Sequence, residues 1–268
     1  MVDLSPLQHF VNDCHKNLTT SSDGEVVKSR SYLIQRKISD ESISTHVIGY
    51  CNEETDIPDE IKYFGNKEVS YEGDKGYSSF IKGKLIVPIY DEFDQLVAFA
   101  TRKPSFKEGN TWWNLPFPKG NHLFLLNKTR KEIFNQNKIY IVEGYIDALL
   151  LYQEGLKNIC GIMGTHLSPR QIGLLLRYCN NVCACLDIDE NRSGQKGSDK
   201  IIAMLKDFGF YEDLWVIDNL PIGIDPDEFV RKYGLPKFIE CERKLSEVEI
   251  VKIRKRSFFE SKRKHAKK

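Results

Sequence analysis

Two apolar runs in this chain stop abruptly at acids. Ile139-Tyr140-Ile141-Val142 runs into Glu143-Gly144-Tyr145-Ile146-Asp147, and Val182-Cys183-Ala184-Cys185-Leu186 runs into Asp187-Ile188-Asp189. A core cannot hold an unpaired carboxylate, so each run reads as a buried strand that delivers its acid to a sheet edge. Acids collected at one edge repel one another and stay ionised together only with positive charge between them. Hard divalent cations with oxygen ligands meet that need. The chemistry indicated is metal-assisted phosphoryl or nucleotidyl transfer.

Positioning such acids requires a sheet whose strands all end on the same side. From residue 138 the pattern alternates: strand 139–142, helix 145–155, strand 158–162, helix 168–178, strand 182–186, helix 195–208, strand 214–217. Alternation of this kind predicts a mostly parallel, Rossmann-like sheet with helices on both faces. Its site should lie beyond the carboxyl ends of the strands, where Glu143, Gly164, Asp187 and the segment 218–227 all fall. Upstream, apolar spacing predicts helices over 4–17, 29–36 and 39–47. Residues 84–91 and 96–102 read as a hairpin around a polar turn, ending in the cation Arg102. The fold class expected is α/β, in three parts: a mixed α/β subdomain over 1–137, the parallel-sheet domain over 138–235, and a short helical basic tail over 236–268.

With 268 residues and 41% hydrophobic content, the chain can bury a sizeable core. Neither a signal peptide nor a membrane-length apolar run is visible, so a cytosolic protein without membrane contact is expected. Seven cysteines without paired CxxC spacing argue against a disulfide framework or a zinc ribbon, and no zinc is expected. Net charge is +1, yet residues 252–268 hold nine Lys/Arg against Glu260 alone. That tail either attracts phosphate backbones or is simply solvated, and the two readings are compatible.

Taken together, Glu143-Gly144-Tyr145-Ile146-Asp147, Gly164-Thr165, Asp187-Ile188-Asp189 and Asp225-Pro226-Asp227 resemble the Toprim domain of bacterial DnaG-type primases. Upstream, Arg30-Ser31-Tyr32-Leu33, Ile48-Gly49-Tyr50, Val87-Pro88-Ile89-Tyr90-Asp91, Ala100-Thr101-Arg102, Asn114-Leu115-Pro116 and Lys119-Gly120 are similar to the N-terminal part of the primase catalytic core. The resemblance covers roughly residues 4–235. It implies that Glu143, Asp187 and Asp189 are catalytic and hold metal, with Asp225 and Asp227 helping to bind two or more Mg²⁺ or Mn²⁺ ions. Gly144 lets backbone and phosphate approach closely. Asp147 is open to three roles, as metal ligand, as orienting partner or as a helix N-terminal charge, of which the orienting role is favoured. The same resemblance makes Lys82, Lys84, Arg102, Asn114 and Lys119 contacts to template and nucleotide. Arg102 should be the least replaceable, because only a guanidinium grips phosphate bidentately.

The implied activity is synthesis of short RNA primers on single-stranded DNA from nucleoside triphosphates. Alternatives are a Toprim-type nuclease or a non-catalytic DNA-binding replication subunit. The chain departs from the family at Thr111-Trp112-Trp113-Asn114, where an indole either stacks on a base or packs in the core. Neither the family's zinc-binding module nor its helicase-docking domain is expected in these residues. A replicative helicase or a separate zinc-binding protein that recognises initiation sites is therefore an expected partner. His166, outside the family motif, reads as a turn residue, and Cys183 and Cys185 read as core.

Overall fold

The computed structural model describes residues 5–62, 77–105, 112–186, 193–208, 213–221 and 223–265, and no side chains are described at Ser5, Glu60, Lys62, Tyr77, 193–197 or 259–265. The chain forms two compact units that divide between Pro118 and Lys119, ahead of the composition change at 137/138. The earlier break has a physical reason. A helix that sequence patterning does not reveal, α5 below, packs onto the parallel sheet and belongs with it.

In the first unit, helices α1 (Ser5–Thr20), α2 (Gly24–Gln35) and α3 (Asp40–Thr45) precede strand β1 (Gly49–Cys51) and the single turn α4 (Asp59–Lys62). Strands β2 (Lys84–Tyr90), β3 (Leu96–Arg102) and β4 (Trp113–Asn114) follow, and the four strands make an antiparallel sheet in the order β1-β2-β3-β4. The anticipated helices and hairpin are all present. Asp23 and Ser39 start α2 and α3 by accepting backbone N–H groups, the usual answer to orphan donors at a helix start. Helix α1 lies so close to β1 that a Cβ on Gly49 would sit 2.6 Å from the Cys14 backbone. Phe10 of α1 meets Phe99 of β3 at 5.3 Å between ring centroids, both rings buried. Each contributes about 1.5–3 kcal/mol of burial.

The second unit contains α5 (Leu126–Gln136), β5 (Lys138–Val142), α6 (Tyr145–Gln153), β6 (Ile159–Gly161), α7 (Pro169–Tyr178), β7 (Asn181–Ala184), α8 (Ser193–Asp207) and β8 (Leu214–Val216). It is completed by α9 (Pro226–Tyr233), α10 (Leu235–Glu240), β9 (Arg243–Lys244) and α11 (Glu247–His265). The strand order is β6-β5-β7-β8-β9, parallel throughout except for β9, which pairs antiparallel with β8. The expected parallel sheet is thus present, as an α/β layer whose core includes Ile139, Ile141, Cys160, Val182, Ala184, Ile201 and Leu205. Cys183 and Cys185 are buried, and all seven cysteines are free thiols. The tail is no appendage: β9 extends the sheet and α11 packs along α8, burying Ile250 and Ile253. No helix among the described residues is long and apolar enough to cross a membrane.

Candidate active site at the carboxyl edge of the parallel sheet

Strand β5 is the pivot of the second unit, flanked by β6 and β7 in parallel register. Val142 lies opposite Gly161 and Ile141 opposite Ala184, and Cys185 donates its N–H to Ile141 O at 2.8 Å. The acid segment after β5 and the chain running on from β7 therefore leave the same edge, next to each other. Glu143 follows β5 directly and is half-buried. Asp187 and Asp189, beyond Leu186, lie outside the described residues.

Gly144 then opens α6, with Asp147 in its first turn. The Asp147 carboxylate folds back over the helix start, so a Cβ on Gly144 would come within 2.4 Å of Asp147 Oδ2. A side chain at 144 would therefore displace the Asp147 carboxylate, whereas the φ of −98° is ordinary for any residue. The other oxygen, Asp147 Oδ1, accepts the backbone N–H of Asp227 at 3.2 Å. Asp147 thereby fastens α9 to α6 across eighty residues of chain. This bond brings the 225–227 segment back from the far strand β8 to the end of β5.

The two acids of that segment differ. Asp225 is the exposed N-cap residue of α9, and its side chain makes no capping bond. Asp227 is 2% exposed, and its Oδ2 pairs with Arg231 Nη2 one turn later at 3.2 Å. A buried carboxylate beside a guanidinium already has a counter-charge, so Asp227 suits a metal less well than the others. Asp218, at the end of β8, is gripped at both oxygens by Arg243, at 3.0 and 2.6 Å. That pair holds β9 to the sheet and removes Asp218 from the acid group.

The acids brought to this edge among the described residues, Glu143, Asp225 and Asp227, offer carboxylate oxygens, which match magnesium or manganese in type. Among the described residues no three His, Cys, Asp or Glu side chains are gathered closely enough to hold an ion. The sequence reading places Asp187 and Asp189 in the set, so a full cage depends on them.

Lys119 belongs to the same unit. Its short turn, Lys119–Asn121, is pinned to the start of α7: Ser168 Oγ donates to Gly120 O, and Gln171 Nε2 donates to His122 O at 2.7 Å. Lys119 Nζ rests against Gly164, 3.4 Å from where a Cβ would stand.

In the first unit, the candidate cations sit in unlike surroundings. Lys82 Nζ donates to the backbone carbonyls of Glu53 and Thr55, an arrangement that closes a loop. Lys84 Nζ lies 5.4 Å over the Phe80 ring, and burial, with Lys103 nearby, lowers its pKa. The Arg102 guanidinium lies 5.4 Å over the Trp112 ring, and its buried Nε has no hydrogen-bond partner among the described residues. Trp113 stacks on Phe80 at 5.5 Å and leans on Phe99, so this indole is packed on neighbouring rings while Trp112 holds the arginine. Asn114 pairs with Ala100 across β4 and β3.

Comparison with known proteins agrees with this architecture. A family described as the DNA primase catalytic core, N-terminal domain, matches residues 14–130, and a Toprim-like family matches residues 140–230. The DNA primase of Synechococcus elongatus is 29% identical over 204 residues, covering 74% of this chain and 29% of that protein. The crystal structure of the Aquifex aeolicus primase, with zinc-binding and RNA polymerase domains, superposes with a TM-score of 0.71 at 23% identity, covering 96% of this chain and 69% of that one. A DnaG primase catalytic domain bound to single-stranded DNA gives a TM-score of 0.62 at 23% identity, covering 87% and 80%. A Toprim domain placed behind a primase-core domain defines the class. The chain carries a region like the N-terminal domain of the DnaG-type primase catalytic core, followed by a Toprim-like domain. It spans well under half the length of curated relatives such as the cyanobacterial one.

Proposed function

We propose that this chain is the catalytic core of a DNA primase, joining nucleoside triphosphates into short RNA primers on single-stranded DNA by divalent-metal-dependent nucleotidyl transfer. The observation that carries the reading is the parallel register of β5 and β7, which sends Glu143 and the chain leading to Asp187 out of one sheet edge. Relatives named DNA primase, and a related catalytic domain bound to single-stranded DNA, support the same reaction and template.

In this reading Glu143, Asp187 and Asp189 hold magnesium or manganese, with Asp225 at the periphery. Bound there, the metal neutralises the triphosphate and makes the attacking 3′-hydroxyl more acidic. Asp147 keeps its place as the clasp between α6 and α9, and so orients the turn that bears Glu143. Arg102, with its guanidinium face against Trp112, offers its N–H edge to a template phosphate, with Lys84 and Asn114 beside it on the same sheet. A helicase, or a zinc-binding protein that selects the start site, is the expected partner in replication.

The test is synthesis on a single-stranded template with ribonucleotides and Mg²⁺ or Mn²⁺. Template-dependent oligoribonucleotides that vanish in Glu143→Gln and in Asp187→Asn support the reading. Strand scission without synthesis, or DNA binding without either reaction, overturns it.

A further inference from the structure

The loop after β6 carries a group of hydrogen-bond donors that the acid motifs do not account for. Gly164, Thr165 and His166 follow the strand that lies directly beside β5, so the loop borders the turn carrying Glu143. Thr165 and His166 are exposed. Thr165 Oγ1 lies 2.7 Å from His166 Nδ1, and Lys200 of α8 places its Nζ 3.4 Å from His166 Nε2. Lys119 Nζ lies against Gly164. Neither Lys119 nor Lys200 has a carboxylate within ion-pair distance among the described residues, unlike Lys206 further along α8 and Arg254 and Arg256 on α11.

The hydrogen-bond chemistry fixes which way these groups point. An ammonium can only donate, so His166 Nε2 accepts from Lys200 and the ring proton sits on Nδ1. Nδ1–H then donates to Thr165 Oγ1, leaving the threonine hydroxyl proton to give outward. Two ammonium groups, neither paired with a carboxylate among the described residues, and a hydroxyl donor around one glycine loop are complementary to a multiply charged oxyanion. The acids at the end of β5 exclude an anion from their own position unless metal is present. The donors one strand away accept it.

We propose that Lys119, Thr165, His166 and Lys200 seat the terminal phosphates of the incoming nucleotide and then the pyrophosphate that leaves. This deepens the primase reading and rests on it: the 3′-hydroxyl gives its proton to solvent as its oxygen takes the α-phosphoryl group, the bond between the α- and β-phosphates breaks, and the β,γ-unit departs as pyrophosphate from this loop. Lys119 was expected to touch nucleotide or template. Lys200, His166 and Thr165 are the new assignments.

The experiment measures primer synthesis against nucleotide concentration, inhibition by inorganic pyrophosphate and single-stranded DNA affinity, in wild type, Lys200→Ala, Lys200→Arg and His166→Ala. Because these side chains lie at the surface, melting temperatures should stay near wild type, which checks the fold. Losing one charge-assisted donor predicts that Lys200→Ala raises the nucleotide KM about tenfold and weakens pyrophosphate inhibition by the same factor, with kcat and DNA affinity unchanged. His166→Ala should do the same more weakly, and Lys200→Arg should restore binding. Unchanged KM and inhibition overturn the assignment, as does a fall in DNA affinity, which would make the loop a template contact. If the wild type makes no primers, the primase reading fails, and calorimetric titration with pyrophosphate decides the seat separately. Heat from wild type that Lys200→Ala abolishes upholds an anion seat, whereas no heat from wild type, or equal heat from both, removes it.

Discussion

The two sheets of this molecule present opposite charges by opposite means. The parallel sheet delivers carboxylates end-on: β5 stops, Glu143 appears at its carboxyl edge, and the Asp227 N–H, donating to Asp147 Oδ1, ties α9 to the helix that follows. The antiparallel sheet of the first unit delivers cations side-on, each resting on a ring: Lys84 over Phe80 and Arg102 over Trp112. Strand ends are set by chain direction, so an acid that terminates an apolar run announces its location. A cation on a strand face is located only by what its stem packs against, and the sequence does not say which partner that is.

The contrast breaks first at the acids, where the expected effects are largest. Glu143 and Asp227 were both candidate ligands, but one is half-buried at the strand end and the other is buried against Arg231. Glu143→Gln should cut primer synthesis by roughly 10³-fold, the scale of losing metal-borne charge stabilisation, with the melting temperature nearly unchanged. Asp227→Ala should do the reverse in kind, costing about 3 kcal/mol in denaturant unfolding because it leaves Arg231 partly buried without its carboxylate. If Asp227→Ala unfolds like wild type yet loses metal-dependent activity, the division between ligand and clasp is wrong.

The cations give a smaller effect. Arg102→Lys should weaken template binding about tenfold in fluorescence anisotropy, since the fork and the planar stack on Trp112 are both lost. Lys84→Arg should be milder. Lys82→Met should leave DNA affinity unchanged and instead destabilise by about 1–2 kcal/mol, because the Glu53 and Thr55 carbonyls lose their donor. A template defect in Lys82→Met with normal stability would return that lysine to the binding face.

How far the sequence was legible follows the same divide. Strands β5, β7 and β8 and helices α6, α7 and α8 announce themselves by apolar period and by caps such as Ser168 with Gln171. Helix α5 escapes notice because its N-cap is Leu125 at φ 70°, with no capping side chain, and its buried face is only Leu126, Thr129 and Ile133. Strand β9 consists of two exposed basic residues, a pattern that carries no apolar alternation. The Asp227–Arg231 pair, at helical spacing, was readable and passed over. The approach of Lys200 to His166 was not readable, since thirty-four residues separate them and only the packing of α8 joins them.

The smallest effect concerns the basic C-terminal helix, where structure changes the experiment that sequence suggests. Cutting away residues 252–268 would remove charge, but it would also remove Ile253 from the core of the second unit. Any loss of activity would then mix electrostatics with unfolding. Arg254 and Arg256, moreover, are engaged by Asp207 and Asp199 of α8, at 2.5 and 3.1 Å. Lys252 and Lys255 are exposed without such partners among the described residues. Replacing both by alanine leaves the helix and its buried face in place. If they meet the template backbone, the double variant should lower the salt-dependence slope of DNA binding by about 1.4, near 0.7 for each lost single-strand phosphate contact. An unchanged slope would confine template binding to the ring-backed cations of the first unit, and the charge of α11 would then serve its own packing on α8.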